Sequence, residues 1–144
     1  MTLPAPKPGM VIHYAYLWRD EALRGREEGA KDRPCVVILS VADEGGRKIV
    51  TVAPITHSSP RHPDSAIAIP TATKARLGLD SERSWIVAAD LNRFVWPGVD
   101  LRPVRRRATT FVHGALPHAL YETVRTRVLD LARARRLRMT SREE

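Results

Sequence analysis

A chain of 144 residues, 43% hydrophobic and 28% charged, has the balance of an ordinary soluble globular protein and enough length for one core but not two. The single cysteine, Cys35, excludes a disulfide framework within the chain, and no segment approaches the roughly 20 apolar residues of a membrane span. A formal net charge of +8 disfavours an acidic or neutral small substrate and favours a polyanionic partner.

The start, Met1 to Met10, has three prolines and no apolar run of the kind a secretory leader needs, so the cytoplasm is the expected compartment. The positive charge is uneven. Residues 102–144 hold eleven Lys/Arg against four Asp/Glu, a net of +7, whereas the first 101 hold thirteen against twelve. A solvated arginine-rich helix is the plain explanation of such a run, and a nucleic-acid surface is the other.

In chain order, Met10 to Tyr16 reads as a strand entered through Gly9. Trp18 to Asp32 is charge-dense, carries Gly25 and Gly29, and predicts a long loop. Pro34 to Val41 and Ile49 to Ile55 are apolar runs joined through Gly45-Gly46, which predicts a hairpin of buried strands. Thr56 to Asp64 is a polar loop with two prolines and two histidines. Ala66 to Ile69 predicts a short strand, and Thr71 to Leu77, stopped by Gly78, one or two helical turns. Trp85 to Leu91 predicts another strand, with a turn at Trp96-Pro97-Gly98.

After Pro117, Leu120, Val124, Val128, Leu131 and Ala134 recur at helical spacing, with Arg125, Arg127, Arg133 and Arg136 largely off that face. Short strands closed by one amphipathic helix predict a mainly β fold with some α. The expected form is a small, strongly curved barrel in a single domain: barrel 8–101, basic connection 102–115, C-terminal helix 116–138 and tail 139–144.

The sequence has no Walker or dinucleotide glycine loop and no nucleophile-elbow serine. Its five histidines lack cysteine partners and a helical His-x-x-x-His pair; His57, His62 and Asp64 lie close only within a proline-rich loop. Neither a metal nor another cofactor is expected. What remains is a polar rim. If the hairpin forms, Arg33 at the start of one strand lies beside Thr56 at the end of the next.

That pairing suits RNA cleavage, because the ribose 2′-hydroxyl supplies the nucleophile. A guanidinium fork can hold the equatorial phosphate oxygens, a threonine hydroxyl adds a donor, and His57 could shuttle a proton. Each residue also has a structural explanation. Arg33 serves equally as a surface arginine before a strand, Thr56 as a strand-end hydroxyl, His57 as a solvated loop residue, and Cys35 as a small buried hydrophobe.

The blocks Pro8-Gly9-Met10-Val11-Ile12, Arg33-Pro34-Cys35-Val36-Val37, Pro54-Ile55-Thr56-His57-Ser58 and Ser84 to Arg93, followed by a C-terminal helix, resemble the MazF/PemK toxins across residues 8–137. The resemblance implies an SH3-like barrel and a homodimer. It also implies metal-independent, sequence-selective cleavage of single-stranded RNA and neutralisation by an acidic antitoxin protein. It assigns Arg33 and Thr56 as the catalytic pair, with His57 beside them.

Candidate RNA contacts are Trp18 and Trp96, which would stack on unpaired bases for roughly 1–3 kcal/mol each. The hydroxyls of Ser58 and Ser59 and the cations Arg19, Lys31, Arg61 and Arg93 complete the set. For both tryptophans, barrel core or dimer interface is the other expectation. The sequence departs from the family where Met10 replaces an acidic residue and His57 separates Thr56 from Ser58. Two other functions stay open: a non-catalytic nucleic-acid-binding barrel, and a CcdB-like toxin that binds gyrase and cuts nothing.

Overall fold

The computed structural model describes residues 3–25 and 31–142. Arg26 to Ala30 of the expected loop and the last two residues of the expected tail lie outside the described residues. Strands β1 (Met10–Tyr16), β2 (Lys31–Ala42) and β3 (Lys48–Thr56) pair antiparallel in succession. The turn between β2 and β3 is tied by Asp43, whose carboxylate accepts the N–H groups of Gly45 and Arg47 at 3.0 and 2.8 Å.

Along its length β3 changes partner. Lys48 to Val52 pair with β6 (Asp90–Trp96), and Ile55 and Thr56 pair with β5 (Trp85–Val87). The short β4 (Ala66–Ala68) extends β5, β7 (Val112–Ala115) covers the other edge of β1, and β8 (Arg138–Ser141) runs parallel to β6. A strand that serves two neighbours on one edge curls the sheet. The result is the expected mainly β fold, an antiparallel sheet curled into a half-barrel with a C-terminal helix.

Strand alternation fills both faces of this sheet. Ile12, Tyr14, Tyr16, Cys35, Val37, Val50, Val52, Phe94 and Trp96 pack on one side. On the other, Val11, Val36, Ala53, Ile55 and Ile86 pack under α3 (His118–Arg133), which buries Val124, Val128 and Leu131.

Four boundaries differ from expectation. The loop 18–32 contains a short helix, α1 (Arg19–Leu23). The strand expected over Trp85–Leu91 is two strands separated by a bend at Ala88-Ala89, with the Ala88 N–H turned to the Ser65 carbonyl at 2.8 Å. The basic connection contains β7. The helix expected over 116–138 ends at Arg133, because Arg135 takes a left-handed conformation (φ 57°) and the Arg136 N–H closes on the Leu131 carbonyl at 2.8 Å. That helix-ending motif normally uses glycine. The freed chain forms β8, and beyond it Arg142 reaches back to Asp100 at 2.9 Å with both side chains buried. The second short helix, α2, spans Thr71–Arg76.

One irregularity sets the register that matters most. Near the turn Leu39 faces Thr51 and Ser40 faces Val50, whereas nearer the rim Val37 faces Val52 and Cys35 faces Pro54. Ile38 is the extra residue of a β-bulge. Continued two residues, the rim register brings Arg33 opposite Thr56; without the bulge it would meet His57. The bulge is braced from outside the hairpin. The Tyr121 hydroxyl of α3 donates to the Ile38 carbonyl at 2.8 Å, and the Gly9 N–H donates to the Val37 carbonyl at 2.7 Å.

Tyr121→Phe is therefore expected to lower the unfolding free energy by about 1 kcal/mol, the net worth of one such hydrogen bond, as read by urea denaturation. Unchanged stability would show that the helix does not support the bulge.

Candidate active site at the β2–β3 rim

Arg33 and Thr56 line two adjoining hollows at the rim. The larger, about 410 Å³, also takes in His13, His57, Lys74 and His113; the smaller takes in Trp18, Ser58 and Ser59. Arg33 Nη1 donates to the Ile55 carbonyl at 3.4 Å, which holds the guanidinium against the residue before Thr56. Its Nε is buried with no hydrogen-bond partner among the described residues. Thr56 Oγ1 accepts the Ser58 N–H at 3.2 Å, so its own hydroxyl hydrogen remains available to a ligand. Guanidinium and alcohol donors thus converge on one opening, which suits a phosphate.

Trp18 forms the shelf beneath the guanidinium, with Arg33 Cζ 5.2 Å from its ring centroid and Tyr16 against its edge at 5.1 Å. Two polar residues buried on β6 fix that shelf. The Asn92 side chain accepts the Leu17 N–H at 3.0 Å and donates to the Leu17 carbonyl at 2.7 Å, replacing a strand neighbour just before Trp18. Asp90 accepts the Tyr16 hydroxyl at 2.5 Å and the Arg19 N–H at 3.4 Å, and burial raises its carboxyl above the usual range. Neither residue stands out in the sequence, where both only interrupt an apolar run.

His57 is held on both sides. Nε2 lies 2.8 Å from Asp80 and Nδ1 3.5 Å from Glu82. Lys74, only 4% exposed, organises this loop: its ammonium lies 2.7 Å from Asp80 and 2.6 Å from Ser84 Oγ, and it also donates to the Glu82 carbonyl. Hydrogen bonds from Lys74, then from His57, keep the Asp80 carboxyl below its usual range. His57, Asp80 and Glu82 are the one group of potential metal ligands among the described residues, their donor atoms within 4.8 Å of one another, and Lys74 already places a positive charge there. Asp64 does not join His57 and His62, because Arg136 takes it at 2.5 and 3.1 Å.

Two histidines that sequence spacing could not relate meet in the larger hollow. His13 of β1 and His113 of β7 touch through Nδ1 and Nε2 at 3.1 Å, their rings 5.2 Å apart edge to face. Burial lowers both, His113 to about 4, while Asp32 partly offsets the effect at His13. Only β-pairing brings them together.

The other expected residues divide. Lys31 lines the larger hollow, Ser58 both hollows and Ser59 the smaller. Arg61 borders a shallower depression with Trp18, Asp20 and Arg24, and Arg19 sits at the start of α1 against Asp90. Arg93 is outside both hollows, bonded to Ser141 Oγ at 3.0 Å. Trp96 requires correction: it is 8% exposed, packed on Phe94 and Phe111, and its Nε1 donates to the Pro4 carbonyl, so it cannot stack on a base. Cys35 is fully buried, which pushes its thiol far above the range in which it would react. Arginines in and just after α3 are partly engaged within the chain, Arg127 by the Pro63 carbonyl and Arg136 by Asp64.

The fold is that of a small protein built on a curled antiparallel half-barrel sheet with a C-terminal helix. The sequence profile described as the PemK-like, MazF-like toxin of type II toxin-antitoxin systems matches residues 16–131, and the chain belongs to that family. Membership implies an antitoxin partner. A search of curated proteins found no significant match. Among the described residues no helix is long and apolar enough to cross a membrane.

The histidine pair gives a pH test of this geometry. An unfolded imidazole takes up a proton near pH 6.5, whereas the folded His113 resists until about pH 4. Between those values the unfolded chain binds more protons, so stability must fall as pH falls. Wild-type protein is expected to lose more stability than His113→Asn between pH 7.5 and pH 5.0, a window above the ordinary carboxylate range. Equal losses in urea titrations would mean that His113 is not depressed.

Proposed function

We propose that the chain is the toxin of a type II toxin–antitoxin pair and acts as an endoribonuclease, cutting single-stranded RNA in the cytoplasm without a metal ion. The observation that supports this reading most is the convergence of the Arg33 guanidinium and the Thr56 hydroxyl on one opening.

In this reading the phosphodiester sits at the rim. The Nη groups of Arg33, which line the opening, hold the equatorial oxygens as charge builds on them, and Thr56 donates a further hydrogen bond. The ribose 2′-oxygen attacks phosphorus, the 5′-oxygen leaves, and the product is a 2′,3′-cyclic phosphate. Trp18 supports the guanidinium from one side, while Ser58, Ser59 and Lys31 contact the flanking backbone. Both nitrogens of His57 already face carboxylates, so the residue stabilises the rim and takes no part in the proton steps. The active species is a homodimer, and an acidic antitoxin segment folds over the basic rim to silence it.

Arg33→Ala is expected to slow RNA cleavage in excess EDTA at least 100-fold with the circular dichroism spectrum unchanged, in the range set by losing one oxyanion donor. Arg33→Lys recovers only part of that rate, because a point charge lacks the fork. Full cleavage by Arg33→Ala would reject the site. Binding of RNA by the wild type without any cutting would favour the non-catalytic barrel, and growth inhibition that survives Arg33→Ala would favour a gyrase-binding toxin.

A further inference from the structure

The reading above holds the phosphate but leaves its protons unassigned, while two imidazoles line the same hollow. We propose that His13 and His113 act as one neutral acid–base pair, taking the proton from the RNA 2′-hydroxyl and delivering one to the departing 5′-oxygen. The inference rests on the ribonuclease reading and deepens it.

The argument starts from the contact itself. His13 Nδ1 and His113 Nε2 lie 3.1 Å apart, so one hydrogen occupies the space between them. If His13 donates it, His13 Nε2 is a bare lone pair and His113 Nδ1 carries an N–H. If His113 donates it, those roles exchange. In either tautomer the neutral pair has one base and one acid beyond the shared hydrogen, which is what a displacement with one entering and one leaving oxygen needs.

The step balances within the pair. The 2′-O–H bond breaks and its proton goes to the lone-pair nitrogen as the 2′-oxygen bonds to phosphorus. The P–O5′ bond breaks, its electrons leave with the 5′-oxygen, and that oxygen takes the proton of the other imidazole. The bridging hydrogen crosses in the same step, from the ring that gains the 2′ proton to the ring that gives one up, so no imidazolate forms and the pair ends neutral in its other tautomer.

Position agrees with this role. Strand alternation puts Tyr14 with Arg33 on one face and His13 with Pro34 on the other, so guanidinium and imidazoles reach the shared opening from different sides. In phosphoryl transfer the entering and leaving oxygens lie in line, apart from the three equatorial oxygens, so separate groups must serve them.

The charged groups around the pair are mixed. Lys31, Asp32 and Arg33 come from β2, Arg102 donates its backbone N–H to the His13 carbonyl at 3.0 Å and lies 3.8 Å from Asp32, and Lys74, Asp80 and His57 close the far wall. Burial prevails over Asp32 at His13, and both imidazoles stay below their ordinary range. The lone pair is therefore unprotonated at neutral pH.

The test is single-turnover cleavage of an RNA oligonucleotide in EDTA between pH 4.5 and 8, with folding followed by circular dichroism and melting. The wild-type rate should be level near neutrality and fall only below the ordinary imidazole range, since burial lowers both rings. His13→Asn and His113→Asn should each slow cleavage about 100-fold or more, with the double variant little worse than either, since the two act as a unit. His118→Asn, exposed on α3, should change nothing, and free imidazole should restore part of the rate of His113→Ala.

The pair is refuted if Arg33→Ala is inactive but the double histidine variant keeps its rate within twofold. A wild-type rate that already falls with a midpoint at or above the ordinary imidazole value of about 6.5 refutes an unprotonated, burial-depressed pair without recourse to any variant. Wild-type protein that cuts no RNA at any pH would defeat the ribonuclease reading itself, and the pair would fall with it.

Discussion

The rim depends on a one-residue offset in the β2–β3 hairpin. Side chains alternate between faces of a sheet, so a slip of one residue exchanges what points inward and outward. The bulge at Ile38 performs that slip once, between the turn and the rim, and leaves Cys35 against Pro54 and Arg33 opposite Thr56. Two carbonyls at the bulge are occupied from elsewhere in the chain, by the Tyr121 hydroxyl and the Gly9 N–H. The C-terminal helix, far from the rim in sequence, therefore helps decide which residue faces the arginine.

A second constraint works through buried polar groups. Asp90 and Asn92 lie in the sheet where apolar residues would be expected, and an unbonded polar group there would cost about 1–3 kcal/mol. Both are satisfied by the chain from Tyr16 to Arg19. That arrangement turns β1 into α1 at a fixed place and sets Trp18 under Arg33. Lys74 does the same for the opposite wall, drawing Asp80, Glu82 and Ser84 toward its ammonium. The opening is framed by side chains whose own bonds are already made, so the donors left unpaired at Arg33 and Thr56 stand out.

Part of this was legible in the sequence. Apolar runs bounded by glycine and proline mark β1, the β2–β3 hairpin and α3, and the hairpin brings Arg33 to the end of β3, while the bulge that selects Thr56 rather than His57 leaves no sequence signal. The rest needed information that periodicity does not carry. The helix stop uses Arg135 in a conformation for which glycine is the usual signal. The bend at Ala88-Ala89 is hidden in an unbroken apolar run, and β7 and β8 are four-residue strands defined only by their neighbours. His13 and His113 are 100 residues apart and meet only because β7 joins β1. Trp96 shows the opposite failure, since an aromatic beside a Pro-Gly turn looks exposed and is instead part of the core.

The charge pattern takes on a narrower meaning once the ion pairs are placed. Arg136 is held by Asp64, Arg138 by Asp20 and Arg142 by Asp100, so much of the C-terminal excess fastens the helix and β8 to the barrel. Arg105 to Arg107 stay exposed beside Val104, which lines the larger hollow, and add positive charge near its mouth. The central claim is that the RNA supplies its own nucleophile. The most direct measurement is end analysis of an RNA cut in EDTA, repeated with a single 2′-deoxy nucleotide at the mapped site. The account requires 2′,3′-cyclic phosphate ends and no cut at the deoxy position; cleavage there, or products with a 3′-hydroxyl and 5′-phosphate, would contradict it.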